Sequence, residues 1–500
     1  MHIDLMRRNL NINKEQNVIS KSMKWSTLGE VLAKIMVPVA NMVLARLLMP
    51  EDFGILASIN MIITFVDLFS DSGFAKYIIQ SDFSSEKELY QYVNVAFWSN
   101  FTLSFVMWLV VVVFRDSIAS IVGNPGYGNV IAVASFQLFL TSFSSIQTAL
   151  FKRFFDFRTL FVSRIAAAAV PLCITIPLAF LTRNYWSLVI GSLASALIIA
   201  IILTIKSKWK PALYYNIAQL KKMLSFSIWS LAEAAAYWLT NWIDIFIIGA
   251  AFSAYYLGIY KNSLNMVNSI MALVKASVIP VLFASLSRLK SNQEEFSDVY
   301  FSIQRLASYL LIPMGVGLYV FRLFATTLLF GSKWAEASTI VGIWSLSSVF
   351  MILYSSFNGE AYKARGIPKI LFVFQMVYIM FMLPVCLYFK NIGFWPLVYA
   401  RGILIFAQIL IGLFFMRKYI GFSVFKMICN VIPAIIPSII MGIVGYCLRQ
   451  MSDGILWQII SILICVCIYF AVLRLFFRKT ISADLHVFRD KYSLKEGEIR

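Results

Sequence analysis

Charge is scarce in this sequence. Only 13% of its 500 residues are Asp, Glu, Lys or Arg, about half the share of an ordinary soluble domain. Histidine is almost missing, with His2 and His486 alone. The six cysteines (Cys173, Cys386, Cys429, Cys447, Cys465 and Cys467) form no CxxC pair. These absences argue against a zinc or haem site, and against a disulfide framework because every cysteine lies in an apolar stretch. No glycine-rich phosphate loop occurs, and no polar stretch is long enough to fold as a nucleotide-sugar domain. The pattern of a cleavable signal peptide is also missing. The first twenty-odd residues, with Arg7, Arg8, Lys14, Glu15 and Lys21, read as a polar cytoplasmic tail.

What is present is apolar surface: 60% of the residues are hydrophobic. No soluble fold hides that much, so the surplus must face lipid. A bilayer core takes about 20 apolar helical residues. On that basis spans are expected at 25–48, 53–73, 92–114, 130–150, 160–182, 186–206, 222–250, 254–285, 301–323, 335–358, 368–390, 393–415, 427–449 and 454–477. The fold class is therefore an all-α integral membrane protein of about fourteen helices.

The net charge of +19 would suit nucleic acid if it were clustered, but it is spread through short loops. With the N-terminus placed inside, 32 of the 43 Lys and Arg fall on inner segments, seven on outer segments and four within spans. Such a bias is the positive-inside signature. It implies an even number of spans with both ends cytoplasmic; an odd count midway would have reversed it in the later loops. The outer loops are short, the longest being about 15 residues from Arg115 to Asn129.

An internal repeat divides the chain. Gly54-Ile55 opens the inbound helix after the first span, and Gly258-Ile259 opens the eighth. The spacing corresponds to six spans. The expected layout is a tail (1–24), an N-lobe of six spans (25–206), a cytoplasmic linker (207–221), a C-lobe of six spans (222–415), two accessory spans (427–477) and a C-terminal tail (478–500). Parallel six-helix halves place a substrate site at their interface.

Ionisable residues inside spans are costly and face a cavity or a partner. Lys34 and Asp67 lie 17 residues before and 16 after the turn at Glu51, which puts them at equal depth in antiparallel helices. Glu233 with Lys275, and Asp244 with Lys261, are matched in the same way about Ser253. Two readings stay open. These pairs neutralise one another between packed helices, or they line a hydrated cavity in which the cations meet an anionic substrate and the carboxylates carry a coupling proton or cation. Arg401, about nine residues into the twelfth span, has no obvious mate and is the better ligand candidate. Arg46 precedes the first turn, where Glu51 or Asp52 is its expected partner.

The run Leu44-Ala45-Arg46-Leu47-Leu48-Met49-Pro50-Glu51-Asp52-Phe53-Gly54 resembles the LARLLxPxxFG turn of the bacterial polysaccharide transporters of the MOP flippase superfamily. Asp71-Ser72-Gly73-Phe74-Ala75, and Asp244-Ile245-Phe246-Ile247-Ile248-Gly249 leading to Leu257-Gly258-Ile259-Tyr260, look like the same family. The nearest subgroup looks like the O-antigen, colanic and teichuronic acid exporters.

The resemblance implies a MATE-like alternating-access architecture. It also implies a flippase, not an enzyme, for undecaprenyl-pyrophosphate-linked oligosaccharides in the bacterial cytoplasmic membrane. Its partners would be the lipid-linked glycan, membrane lipids and other polysaccharide-assembly proteins. It needs no cofactor beyond a proton or sodium gradient. Related lipid II flippases carry cavity cations on their first and eighth helices, which here hold Lys34 and Arg46, then Lys261 and Lys275. A multidrug exporter, or an exporter of another lipid-linked substrate, of the same superfamily is the alternative. Polymerases and ligases of the pathway resemble one another in having a large periplasmic loop, which this chain lacks.

Overall fold

The computed structural model describes residue 32, residues 36–71 and residues 73–493, without side chains at 69–71, 226–230, 233 and 479–493. Secondary structure among these residues is helical. The chain clusters into two compact units, Met1–Gly258 and Ile259–Arg500.

The first unit begins with α1 (Met36–Leu47) and α2 (Pro50–Asp71). Next come the short α3 (Phe74–Gln80) and the long α4 (Glu86–Val113). The segment read as the longest outer loop is not featureless. It forms α5 (Arg115–Ile121), then a turn in which Gly123 and Gly126 take positive φ, and runs into α6 (Gly128–Ala134). After these come α7 (Gln137–Arg153), α8 (Phe157–Val170), α9 (Ile176–Thr182), α10 (Trp186–Lys206) and α11 (Ile217–Ala251). Helix α7 packs on α3, α4 and α10, while α11 packs on α2. That last contact places α11 in the first unit, whereas the sequence reading opens the C-lobe with it. The 207–216 connection is clamped to α4. The Trp98 indole donates to the Ala212 carbonyl at 2.8 Å, and the Ala212 N–H donates to Asn94 Oδ1 at 3.0 Å.

The second unit contains most of α12 (Ala254–Arg288), then α13 (Gln293–Val320), α14 (Arg322–Phe330) and α15 (Ala337–Met351). It continues through α16 (Phe357–Ala364), α17 (Lys369–Phe389), α18 (Phe394–Phe415), α19 (Val424–Cys429), α20 (Ile432–Arg449) and α21 (Ile455–Ser493), the last kinked at Phe477. Helix α13 is the hub, packing on α15, α20 and α21.

Twelve helices among the described residues are long and apolar enough to cross a membrane. The two other expected spans coincide with α1, which is shorter, and with the 22-residue α2. The molecule is thus a multi-pass membrane protein of twelve to fourteen spans.

Polar side chains mark where helices meet water. Helices α4, α8 and α11 start at the Lys/Arg-rich end of the first unit, and α13 and α19 at that of the second. Each is capped by a side-chain oxygen, from Ser85, Asp156, Asn216, Asn292 and Ser423 respectively. At that end of the second unit, Arg365 stacks on Phe296 at 4.2 Å and donates to the Lys290 carbonyl and to Gln293. Burial there pulls its guanidinium below the ordinary arginine range.

Inside the spans, proline frees carbonyls that a neighbouring helix then satisfies. Pro313 cannot bond the Tyr309 carbonyl, which accepts instead from the Tyr469 hydroxyl of α21 at 2.8 Å. Pro171 opens a π turn (Pro171–Thr175), and the freed Ala167 carbonyl accepts from Ser195 of α10 at 3.4 Å. A second π turn, Ile352–Ser356, joins α15 to α16, and its Leu353 carbonyl accepts from Gln304 at 3.0 Å.

Candidate functional site

The turn between α1 and α2 builds one part of the candidate site. Pro50 starts α2 with a ring suited to the first helical position, and Glu51 and Asp52 place negative charge at the positive end of the helix. Asp52 is buried and accepts the Met49 N–H at 2.9 Å. Arg46, exposed, sits one turn earlier and makes polar contact of its own.

Gly54 and Gly258, the two glycines of the repeat, bring the starts of α2 and α12 into backbone contact. A Cβ on Gly54 would lie 1.9 Å from the Ala254 carbonyl oxygen, and one on Gly258 would lie 1.8 Å from the Pro50 oxygen. No side chain larger than hydrogen fits at either place. Nearby, Gly123 approaches the Gly249 carbonyl, and the Asn124 amide donates to the Ser58 hydroxyl at 2.7 Å. This end of the first unit is closed backbone to backbone.

Of the intramembrane charges, Lys34 and the Glu233 side chain lie outside the described residues. Asp244 and Lys261 fall in different units. The three matched pairs are therefore described one residue at a time. Asp67, half-buried on α2, accepts the Thr141 hydroxyl of α7 at 3.0 Å. One turn earlier, Thr64 accepts the Trp238 indole of α11 at 3.1 Å, and Trp238 packs on Phe65 and Trp242. Asp244, 2% exposed, accepts the N–H of Ile245 at 2.9 Å. Lys261 and Lys275 are half-buried on α12 and both make polar contacts. Beside Lys261, the amide nitrogen of buried Asn262 has no hydrogen-bond partner among the described residues.

Arg401 has the fullest setting. Along α18, Ile403, Phe406, Leu410 and Phe414 are each at least 60% exposed, while Arg401, Ile405, Gln408 and Gly412 are buried. The helix thus carries one lipid stripe and one protein stripe, and Arg401 lies on the second. It donates to the Tyr378 hydroxyl of α17 at 2.8 Å and stands 6.0 Å from the Trp344 ring. Trp344 in turn donates to Asn268 at 3.3 Å. This corrects the expectation that Arg401 has no mate. Tyr378 lies eleven residues before the end of α17, and Arg401 seven after the start of α18. These offsets differ by four residues, so the depth matching that pairs the charged residues does not pick out this partner. The Trp344 and Asn268 contacts left no signal either.

Among the described residues, no group of three His, Cys, Asp or Glu could hold a metal ion. Among these side chains are one buried cation, Arg401, two half-buried ones, Lys261 and Lys275, and hydroxyls, amides and indoles set in membrane helices. Such a set can hold an anion or a polyol.

A family model described as "Polysaccharide biosynthesis protein" matches residues 43–339, more than half of the chain. The chain belongs to this polysaccharide biosynthesis family. This family member is 24% identical over 343 residues to the succinoglycan biosynthesis transport protein ExoT of Rhizobium meliloti, covering 68% of each chain. To the lipopolysaccharide biosynthesis protein WzxC of Escherichia coli it is 22% identical over 361 residues, covering 71% of each. An uncharacterized membrane protein in the cps region of Klebsiella pneumoniae is 23% identical over 406 residues, 80% of this chain and 82% of that one.

Among solved structures, the inward closed conformation of the lipid II flippase MurJ superposes with a TM-score of 0.75 at 17% identity, covering 91% of this chain and 99% of that one. An inward-facing MATE family multidrug resistance transporter of the MOP superfamily gives 0.55 at 11% identity, over 85% and 99%. The family member therefore shares its fold with these two solved transporters.

Proposed function

We propose that the chain is a flippase that moves undecaprenyl-pyrophosphate-linked oligosaccharide units from the cytoplasmic to the periplasmic leaflet for surface-polysaccharide synthesis. The observation that carries this reading is its membership of the polysaccharide biosynthesis family. Relatives named for transport and for lipopolysaccharide biosynthesis, and a fold like that of a lipid II flippase, support it.

The physical requirements are coherent with the side chains present. A pyrophosphate needs fixed cations in a low-dielectric setting, and Lys34, Arg46, Lys261, Lys275 and Arg401 are the proposed ligands. Asp67, Glu233 and Asp244 are the proposed carriers of a coupling proton or cation. The glycan needs hydroxyl and amide partners along a wet path, while the polyprenyl tail stays in lipid. Residues 25–206 and 222–415 act as the two lobes of alternating access, joined by 207–221, with the last two spans accessory. The protein sits in the cytoplasmic membrane with both termini inside, as the charge bias requires, and is a transporter without catalytic chemistry.

Deleting the gene and assaying the leaflet location of lipid-linked glycan tests the proposal. Accumulation on the cytoplasmic side, reversed by the wild-type gene, is expected; unchanged sidedness would sink it.

A further inference from the structure

The first unit has a cavity outside the candidate site, at its Lys/Arg-rich end. Its volume is about 330 Å³, and its wall includes Glu86, Phe154, Asp156, Lys206, Lys208 and Trp209. It lies where α7 and α10 end and α4 and α8 begin, so it opens at the level of the membrane surface. Four properties of the wall identify an occupant.

The charges balance, with two ammonium groups and two carboxylates. Both carboxylates are already oriented by local bonds, one to Glu86 and two to Asp156. Glu86 accepts the Tyr90 hydroxyl at 2.7 Å, and Asp156 accepts the N–H and hydroxyl of Thr159. A carboxylate has about four acceptor positions, so each retains room for a further donor.

Trp209 is 3% exposed, and its indole N–H is buried without a hydrogen-bond partner. Its ring is fixed edge-on to Phe97 at 5.5 Å, and its carbonyl is held by Ser207 at 2.9 Å. A buried donor left this way is destabilising until an acceptor arrives.

The lip is aromatic and strained. Phe154, on the wall, is 54% exposed, and the residue after it, Phe155, takes φ +57, a region unfavourable for a bulky residue. Exposed aromatics at a span end belong at the headgroup level of a bilayer. Behind the lip the wall turns apolar at Leu150 and Phe151.

We infer that this cavity binds the headgroup of a zwitterionic phospholipid carrying a primary ammonium, of the phosphatidylethanolamine class. The phosphate meets Lys206, Lys208 and the Trp209 indole. The ammonium meets Glu86 and Asp156, and the first acyl carbons meet Leu150 and Phe151. A phosphatidylglycerol headgroup brings a net negative charge to a wall that has none to neutralise. A trimethylammonium group has no N–H for the carboxylates. The site is independent of the flippase reading.

The test uses purified full-length protein exchanged into equal mixtures of phosphatidylethanolamine, phosphatidylglycerol and phosphatidylcholine with identical acyl chains. Retained lipid is counted by mass spectrometry after a detergent wash. Phosphatidylethanolamine should be retained several-fold over the other two. Lys206→Gln with Lys208→Gln, both exposed and neutral to folding, should bring it down to the phosphatidylcholine level, and Trp209→Phe should weaken it in the same direction. Equal retention of the three lipids, or no change in the double lysine variant, overturns the proposal. Equal thermal stabilisation by inorganic phosphate alone would overturn the assignment to a lipid.

Discussion

Arg401 illustrates what a single residue can and cannot declare. An arginine at mid-span costs about 2.5 kcal/mol or more if it meets lipid, so the sequence alone places it on the protein side of α18, where it is buried. Its Tyr378 partner was not legible, because a tyrosine carries no charge to be balanced and looks like any other aromatic in an apolar span. The two roles of Arg401 separate experimentally. As a phosphate ligand, Arg401→Met should lower glycan export by about tenfold or more, the scale on which losing one partner of a desolvated charge contact is felt. Arg401→Lys should retain part of it. Tyr378→Phe removes one hydrogen bond to a charged donor, about 1.5–3 kcal/mol, and should lower the melting temperature while sparing export. Equal loss of export and of protein level in all three variants would make Arg401 a structural residue. Export is read from surface glycan at matched membrane protein levels.

At the scale of elements, the spans were legible because lipid demands one long apolar run per crossing. What lay hidden was how the helices bend and how their ends join. The short α5 reads as a loop, and the π turns leave no sequence period. Pro313 announces a freed carbonyl but not the hydroxyl that takes it, 160 residues away. That link predicts a thermodynamic cycle. Tyr469→Phe strands the Tyr309 carbonyl and should cost about 1–3 kcal/mol. Pro313→Ala returns an N–H to the same carbonyl, so in that background Tyr469→Phe should cost distinctly less. Chemical denaturation of the four purified proteins measures the coupling, and strict additivity would refute the link.

The junction of α2 with α12 behaves differently, because no side chain there can move aside. Gly54→Val and Gly258→Val each drive carbons into a carbonyl less than 2 Å away. Each should destabilise by at least the roughly 1–3 kcal/mol of an overpacked core. The double variant should cost less than the sum, since one separation of the backbones relieves both clashes. Thermal melting in detergent reads this directly. Unchanged melting in both single variants would show that the two helix starts do not meet.

For the whole molecule the orientation rests on the sequence, because loop charges are read by the membrane and not by packing. Repeat lobes and compact units are two different partitions of the chain. The repeat draws a boundary before α11, yet α11 packs on α2, so the first unit extends to Gly258. The reason is physical: a repeat reports how a chain was assembled, whereas contacts report which helix buries which face. Orientation can be tested without reference to either boundary. In a cysteine-free background, Asn129→Cys and Lys208→Cys both lie on exposed positions outside the helix cores. A membrane-impermeant thiol reagent applied to intact cells of a strain with a permeabilised outer envelope should label the first and miss the second. Lysis should make the second reactive. The reverse pattern would turn the whole topology over, moving Lys206 and Lys208 to the periplasmic surface and requiring export to begin from the opposite leaflet. Labelling of both in intact cells would break the odd count of three spans between them, and with it the inward placement of the termini on which the direction of transport rests.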